Sequence, residues 1–236
     1  MINKKGFTLA EVLITLGVIG LVAALTLPSM YNNYQKALIG KTLARSVELV
    51  EQGMLNIRQE AQLNSETGDT FETLSSIKKS DLGLSGSSYI TDSNAFYNST
   101  KSFLGIEDSD YGVENVSAFT GNFNINSLGG VYTAYKFNKL NAIVAFQNKT
   151  GTTTNNDSII SRVIIDANGT AKPNTFGKDV FIFGLTNSGT LIPAGTQKYA
   201  DFDSKIPADG CSGSSVGNGT ACAARVMADK WEIKYY

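Results

Sequence analysis

The feature that most restricts the fold of this chain is an apolar run near its start. Residues 7–27 contain a single charged side chain, Glu11. At about 1.5 Å per residue, a helix over this run is ~30 Å long, which matches the hydrocarbon core of one bilayer. The run therefore predicts a helix that can cross a membrane. Lys4 and Lys5 precede it and favour a cytoplasmic position for the N-terminus.

Three interpretations fit such a run. It is a plain signal-anchor, a secretory signal peptide with Val22-Ala23-Ala24 as its cleavage site, or an anchor that is cut at its front end. Glu11 separates them, because a carboxylate inside a membrane costs about 2.5–3.5 kcal/mol on insertion scales and helps neither of the first two. Cleavage between Gly6 and Phe7 would create a positively charged α-amino group, which could neutralise Glu11 of a neighbouring chain.

These residues resemble the start of a known family. The stretch Lys4-Lys5-Gly6-Phe7-Thr8-Leu9-Ala10-Glu11 resembles the class III leader of type IV pilins and type II secretion pseudopilins, which is short and basic and ends in Gly. The resemblance implies that a prepilin peptidase removes the leader, residues 1–6, by cutting after Gly6. It also implies that the new amine of Phe7 is methylated and that Glu11 acts in subunit assembly.

The helix is predicted to continue past Pro28, which lies where many of these proteins have a helix-kinking proline. Residues 7–28 form its transmembrane or filament-core part, and residues 29–63 form an amphipathic continuation. Gly53 lies inside this continuation, and the sequence offers no reason for it. The continuation carries one apolar stripe at spacings of three and four, with polar residues opposite. The stripe comprises Leu43, Val47, Val50, Met54, Ile57 and Ala61.

Residues 64–236 are predicted to form a globular domain. Short helices are expected over 70–83, where Gly83 ends the helix, and over 93–105. Three or four antiparallel strands packed on one amphipathic helix give an α+β fold. This agrees with the pilin-like fold that the resemblance implies, a long N-terminal helix packed on a small antiparallel sheet. The strand candidates are rich in β-branched and aromatic residues and cover 129–137, 141–147, 158–167, 179–185 and 190–194.

Two loops raise the question of a cation site. Residues 107–110 are acidic, and a solvated loop explains them better than calcium does. Residues 166–181 begin like a calcium loop, but Ala171 and Gly177 stand where an EF-hand loop needs Gly and Glu. Because Asn-Gly, here Asn168-Gly169, is a strong turn former, a turn is the preferred interpretation. No metal site and no cofactor are predicted.

The C-terminal segment contains the only two cysteines of the chain, Cys211 and Cys222. In an exported protein a disulfide between them is the leading interpretation, and two free thiols are the alternative. For so short a loop, the entropy model gives about 2–3 kcal/mol of stabilisation. Residues 221–231 predict a short helix that this bridge ties down. The alternation of Trp231, Ile233 and Tyr235 then predicts a final strand.

The composition argues against catalysis and nucleic-acid binding. The chain has no histidine, which removes Ser-His-Asp and Cys-His catalysis, and its formal net charge of -1 gives no basic excess for a nucleic acid. We therefore expect a structural pilin-like subunit that assembles through its N-terminal helix into a type II secretion pseudopilus or a type IV pilus, and not an enzyme. The alternative is a minor pilin, whose anchor carries a tip, adhesion or initiation module.

The resemblance also sets expectations about partners and location. The partners are other pilin or pseudopilin subunits, the prepilin peptidase, the inner membrane and the assembly platform. The chain is expected to cross the bacterial inner membrane once, with its soluble domain outside the cytoplasm. It is then extracted into a periplasmic or surface filament.

Overall fold

The structure is a computed structural model, and it describes residues 6, 8–65, 73–91, 103–104, 131–137, 140–148, 157–169, 171–208, 210–211 and 219–236. The chain divides into two compact units, Met1–Leu38 and Ile39–Tyr236. Helix α1 covers Leu9–Asn64 and contributes to both units. It contains Pro28 and continues beyond it, as the apolar pattern predicts.

The second unit contains a five-stranded antiparallel sheet. Each strand pairs with the next one along the chain, so the spatial order is β1-β2-β3-β4-β5. A long N-terminal helix with this sheet is the predicted α+β, pilin-like arrangement. Each of the five strand candidates between 129 and 194 overlaps an observed strand, and among the described residues the sheet has five strands and not three or four. The strands are β1 Val131–Lys136, β2 Ile143–Asn148, β3 Ile159–Asp166, β4 Val180–Thr186 and β5 Leu191–Pro193.

The C-terminal half of α1 supplies part of the main core. Its predicted stripe is buried and belongs to the same apolar cluster as Val144, Val163 and Phe183 of the sheet. Polar contacts fix the helix beside the turn between β4 and β5. The Leu191 amide donates to Glu51 Oε1 at 2.8 Å, and Arg58 donates to the Ser188 carbonyl at 3.1 Å. Removing a large buried side chain from such a stripe costs about 2–5 kcal/mol.

A second apolar layer covers the other face of the sheet. It contains Tyr199 of helix α2, Gln197–Phe202, together with Ile206 and Ala221, packed with side chains such as Ile164 and Ile182. Because both faces are covered, β3 and β4 are buried along their whole length. The sequence pattern predicts one helix on one face of the sheet, and it does not predict this second layer. The residue in the sequence that indicates the start of α2 is Thr196. Its hydroxyl caps the helix by accepting a hydrogen bond from the Tyr199 amide at 3.3 Å.

The structure explains Gly53, which no local sequence pattern accounts for. A Cβ at Gly53 would collide with the side chain of Leu104, which is itself buried. Gly40 also permits a close contact, because a Cβ at this position would collide with the main-chain carbonyl oxygen of Trp231. Both glycines let another segment approach the backbone of α1 closely, which offsets their weak helix propensity.

The prediction of a helix over residues 70–83 is wrong, because the described part of this range forms no α-helix. The described part forms two 3₁₀ turns, Leu74–Ser76 and Lys79–Leu82, and Gly83 ends the second with a φ of 69°. The chain between the turns is extended because it pairs with residues 88–90: the Ile90 amide donates to the Ile77 carbonyl at 2.9 Å. The predicted helix over 93–105 lies outside the described residues except for 103–104, and the acidic loop 107–110 lies outside them entirely.

The predicted final strand is also wrong. Helix α3 covers Ala223–Ala228, inside the predicted range 221–231. Lys230 and Trp231 then adopt left-handed backbone conformations with φ values of 56° and 67°, which turn the chain away from an extended path. The segment after them joins no strand, and Tyr235 instead donates its hydroxyl proton to the Gly177 carbonyl.

Candidate functional site

The N-terminal half of α1 exposes its apolar side chains on every side. This is unusual for side chains of this type, which are commonly buried in folded proteins. A helix that is apolar all round belongs in a membrane or in the interior of an assembly. The exposed side chains of this part are Leu9, Val12, Leu13, Ile14, Leu16, Val18, Ile19, Leu21, Val22, Leu25 and Leu27.

Length and composition also suit a membrane span. Among the described residues, α1 is the one helix that is long and apolar enough to cross a bilayer, and its most apolar part contains no buried residue. A core helix of a soluble protein can have the same length and composition, but it is mostly buried, and a signal sequence near an N-terminus can have them too. The arrangement is therefore consistent with a single-pass anchor.

Glu11 closes the N-terminal end of this helix. Its Oε2 accepts hydrogen bonds from the Thr8 amide and the Thr8 hydroxyl, both at 2.8 Å, and the Thr8 hydroxyl oxygen accepts the Glu11 amide at 3.3 Å. This is a capping box, in which a threonine before the helix and an acid three residues later satisfy each other's backbone donors. The carboxylate also lies at the helix end where the macrodipole favours negative charge.

The capping box changes the interpretation of Glu11. The carboxylate has a partner within its own chain, and it is held at the end of the helix next to the predicted cleavage point. Gly6 is exposed, and Phe7 lies outside the described residues, so its predicted role stays a prediction. The sequence analysis did not identify Thr8. The spacing Thr-x-x-Glu before an apolar run was the signal that would have identified it.

The two cysteines form the predicted disulfide, Cys211–Cys222. Cys222 is completely buried, and its sulfur lies beside Gly177 in the connection between β3 and β4. Gly219 packs so closely on Phe176 that a Cβ there would collide with the Phe176 carbonyl oxygen. The bridge joins the two ends of the segment 211–222, and the close contacts of Cys222 and Gly219 hold one of these ends against that connection.

Removing the bridge should lower stability without affecting the N-terminal helix. We expect Cys211→Ser/Cys222→Ser to lower the free energy of unfolding of the second unit by about 2–3 kcal/mol, because the unfolded chain gains entropy. Thermal unfolding of the full chain in detergent, with and without reductant, measures this. A double variant as stable as the oxidised wild type would contradict the expectation.

A buried polar network lies in the second apolar layer. The Arg162 guanidinium donates to the hydroxyls of Tyr199 at 3.1 Å and Tyr132 at 2.5 Å, and it forms an ion pair with Asp203. Burial raises the pKa of both tyrosines, which keeps them neutral. Every charged member has a partner of opposite charge, so the network fits a structural role better than a catalytic one.

Two carboxylates are buried in the connection between β3 and β4. Asp179 accepts hydrogen bonds from the Asn174 amide at 2.8 Å, the Thr175 amide at 2.6 Å and the Asn168 side chain at 2.9 Å. Asp166 accepts the Asn168 amide at 3.1 Å, which makes a turn. The turn interpretation of Asn168-Gly169 is thus confirmed, because Gly169 has a φ of 68°.

Burial dominates the electrostatics of these two acids. It raises the pKa of Asp166 to about 8, and the nearby charge of Asp179 acts in the same direction. Burial also raises the pKa of Asp179, although its three donors oppose the shift. Within the described part of the chain, no three His, Cys, Asp or Glu residues form a group that could hold a metal ion. The hydrogen bonds that Asp166 and Asp179 accept organise this loop.

The comparisons with known proteins agree with the N-terminal geometry. Residues 1–27 match the family model described as the prokaryotic N-terminal methylation motif, the signature of type IV pilins and pseudopilins. The match includes Gly6, Phe7 and Glu11 and covers the whole apolar run, residues 7–27. No curated protein and no solved structure matches the chain. The motif is typical of structural proteins that assemble with other subunits of the same type.

Proposed function

We propose that this chain is a structural subunit of a type II secretion pseudopilus or a type IV pilus. In this proposal a prepilin peptidase cuts after Gly6, and the mature chain, beginning at Phe7, assembles through α1. The observation that supports it most is the position of Glu11: it lies within a matched methylation motif and caps an apolar helix whose side chains are exposed. No enzymatic activity is part of the proposal.

The chemistry of assembly follows from the end of the helix. Cleavage converts the Phe7 amide into an α-amine, which is positively charged near neutral pH. The hydrogen bonds from Thr8 go to Oε2 of Glu11, so Oε1 is the atom that we assign to the Phe7 amine of a neighbouring subunit. In a medium of low dielectric constant, such a pair is much stronger than it is in water. The pair between Glu11 of one subunit and the Phe7 amine of its neighbour therefore fixes how far the two α1 helices are shifted along their axes relative to each other.

Before assembly, the same helix serves as the membrane anchor. The leader with Lys4 and Lys5 stays at the cytoplasmic face, where the peptidase and the assembly platform act. The second unit then lies outside the cytoplasm, where the disulfide Cys211–Cys222 can form and persist. During extraction the exposed apolar side chains pass from lipid contacts to contacts with neighbouring helices, so they remain out of water throughout.

The test compares two variants of the full chain in a host that assembles filaments. Glu11→Gln keeps the size of the side chain and its capping acceptor but removes the charge. We expect this variant to be processed, with Phe7 first in the mature chain by mass spectrometry, and its yield in sheared filaments to fall at least about tenfold, since losing the pair costs more than about 1.4 kcal/mol per subunit. Gly6→Val is the matched control, which should accumulate as the uncut precursor.

The outcomes separate the steps of the proposal. Normal filament yield from Glu11→Gln would contradict the pairing of Glu11 with the amine. A mature chain that begins at Leu25 would show signal-peptide cleavage after Ala24 and would contradict the proposed processing. The share of this subunit in wild-type filaments also matters: a trace amount at the tip would identify a minor pilin and not a bulk subunit.

A further inference from the structure

An apolar stripe continues on α1 after the all-round apolar part ends. Met30 is 72% exposed, Tyr31 and Tyr34 are each 62% exposed, and Leu38 is 46% exposed. At 3.6 residues per turn, these four positions fall within an arc of about 100° on the helix. The residues between them are Asn32, Asn33, Gln35, Lys36 and Ala37. Beyond Pro28 the helix therefore changes from apolar all round to apolar on one side.

Distances along the helix place this stripe at the edge of the bilayer. If the hydrocarbon core begins at Leu9, its ~30 Å thickness is used up at Pro28. Tyr31 then lies about 4–5 Å beyond the core, inside a headgroup layer that is ~5–8 Å thick, and Tyr34 lies about 9 Å beyond the core, at the outer edge of that layer. Tyrosine is the residue type that concentrates in this layer, because its ring is apolar and its hydroxyl is polar.

The apolar stripe on one side of the helix indicates how the segment after Pro28 is oriented relative to the membrane surface. On a helix perpendicular to the membrane, Leu38 would lie about 15 Å beyond the core, which is in water. A helix that is tilted, or kinked at Pro28, instead brings one side of this segment closer to the headgroup region than the other side. Such a segment needs an apolar stripe on one side only, and the stripe has that form.

We infer that residues 29–38 form an interfacial segment, whose stripe Met30, Tyr31, Tyr34 and Leu38 binds the outer headgroup layer of the membrane from which the subunit is extracted. The inference rests on the proposed membrane anchor and adds a lipid-binding surface to it. This surface holds the unassembled subunit at a fixed depth. Its lipid contacts must be broken before the subunit leaves the bilayer.

Tryptophan fluorescence with brominated lipids tests this depth on the full chain in vesicles. The reporters are Tyr31→Trp in the stripe and Asn32→Trp, its neighbour on the polar side. Lipids brominated near the headgroup should quench Tyr31→Trp at least about twofold more strongly than Asn32→Trp. The wild-type chain, whose one tryptophan is Trp231, supplies the background signal.

A third reporter distinguishes a failure of this inference from a failure of the anchor. Leu16→Trp lies in the middle of the apolar run and should be quenched most by lipids brominated near the chain ends. If Leu16→Trp responds but Tyr31→Trp and Asn32→Trp are quenched equally, the anchor stands and the interfacial segment is contradicted. If Leu16→Trp does not respond, both are contradicted. The quenching of Tyr31→Trp could also disappear when the protein-to-lipid ratio is raised. That result would show that a second copy of the chain covers the stripe, and it would overturn the inference.

Discussion

Arg162→Met should lower the free energy of unfolding of the second unit by about 3–5 kcal/mol. The reason is that the substitution leaves the Asp203 carboxylate buried without its cation, and breaking a buried ion pair from one side has a cost of this size. It also removes the hydrogen bonds from the guanidinium to the hydroxyls of Tyr132 and Tyr199. For a protein of this length, the loss corresponds to a fall in Tm of roughly 6–20 °C.

Two controls isolate the network. Arg225→Met removes an exposed arginine that pairs with Asp229 one helical turn away, and it should cost about 0.3–0.5 kcal/mol. Arg162→Met combined with Asp203→Leu removes both charges and should recover most of the loss, because no unpaired charge remains. Denaturant unfolding of the full chain in detergent measures all three variants. A double variant as unstable as Arg162→Met alone would show that packing, and not the charge, accounts for the loss.

Asp166→Asn should make the second unit more stable at neutral pH. The pKa of Asp166 is about 8 in the folded chain and 3.8 in its ordinary state, so the folded chain binds this proton more tightly than the unfolded chain does. The stabilisation is complete below about pH 4 and is lost as the pH rises towards 8. Asparagine is neutral at every pH, so the variant avoids this loss. We expect a gain of about 2–4 kcal/mol at pH 7.

The pH profile is the decisive measurement for Asp166. Wild-type stability should fall between about pH 4 and pH 8, and the Asp166→Asn profile should be flatter over the same window. Asp201→Asn is the matched control: Asp201 is exposed on α2, and its removal should leave the wild-type slope in place. Equal slopes in wild type and Asp166→Asn would show that Asp166 is ionised in the folded protein and would contradict the shift.

Local periodicity explains which parts of the fold could be predicted. The apolar run, the stripe from Leu43 to Ala61 and the five strand segments each repeat a pattern set by helix or strand geometry, and the structure contains all of them. The second layer over the sheet could not be predicted in this way. It depends on residues far apart in sequence, such as Tyr132, Arg162 and Tyr199, whose side chains meet only after the chain has folded.

In the candidate site too, some residues could be predicted from the sequence and others could not. Glu11 is conspicuous in sequence because a charge interrupts an apolar run, and the disulfide follows from there being two cysteines. Thr8 is a common residue and gains its role only from its spacing to Glu11. The wrong final strand has a local cause: alternation of Trp231, Ile233 and Tyr235 predicts extension, but the left-handed turn at residues 230 and 231 prevents it.

The way α1 is attached in the second unit has a mechanical consequence. Glu51, Met54 and Arg58 all contact the β4–β5 turn: Glu51 accepts the Leu191 amide, Arg58 donates to the Ser188 carbonyl, and the Met54 side chain packs against Gly189. A load along α1 would act on these contacts and on the buried stripe together, because all of them lie on the same stretch of the helix. Under such loading the rate of unfolding, and not its equilibrium, decides how long the domain survives. If the chain were loaded through this part of α1, the second unit would therefore respond as a single body.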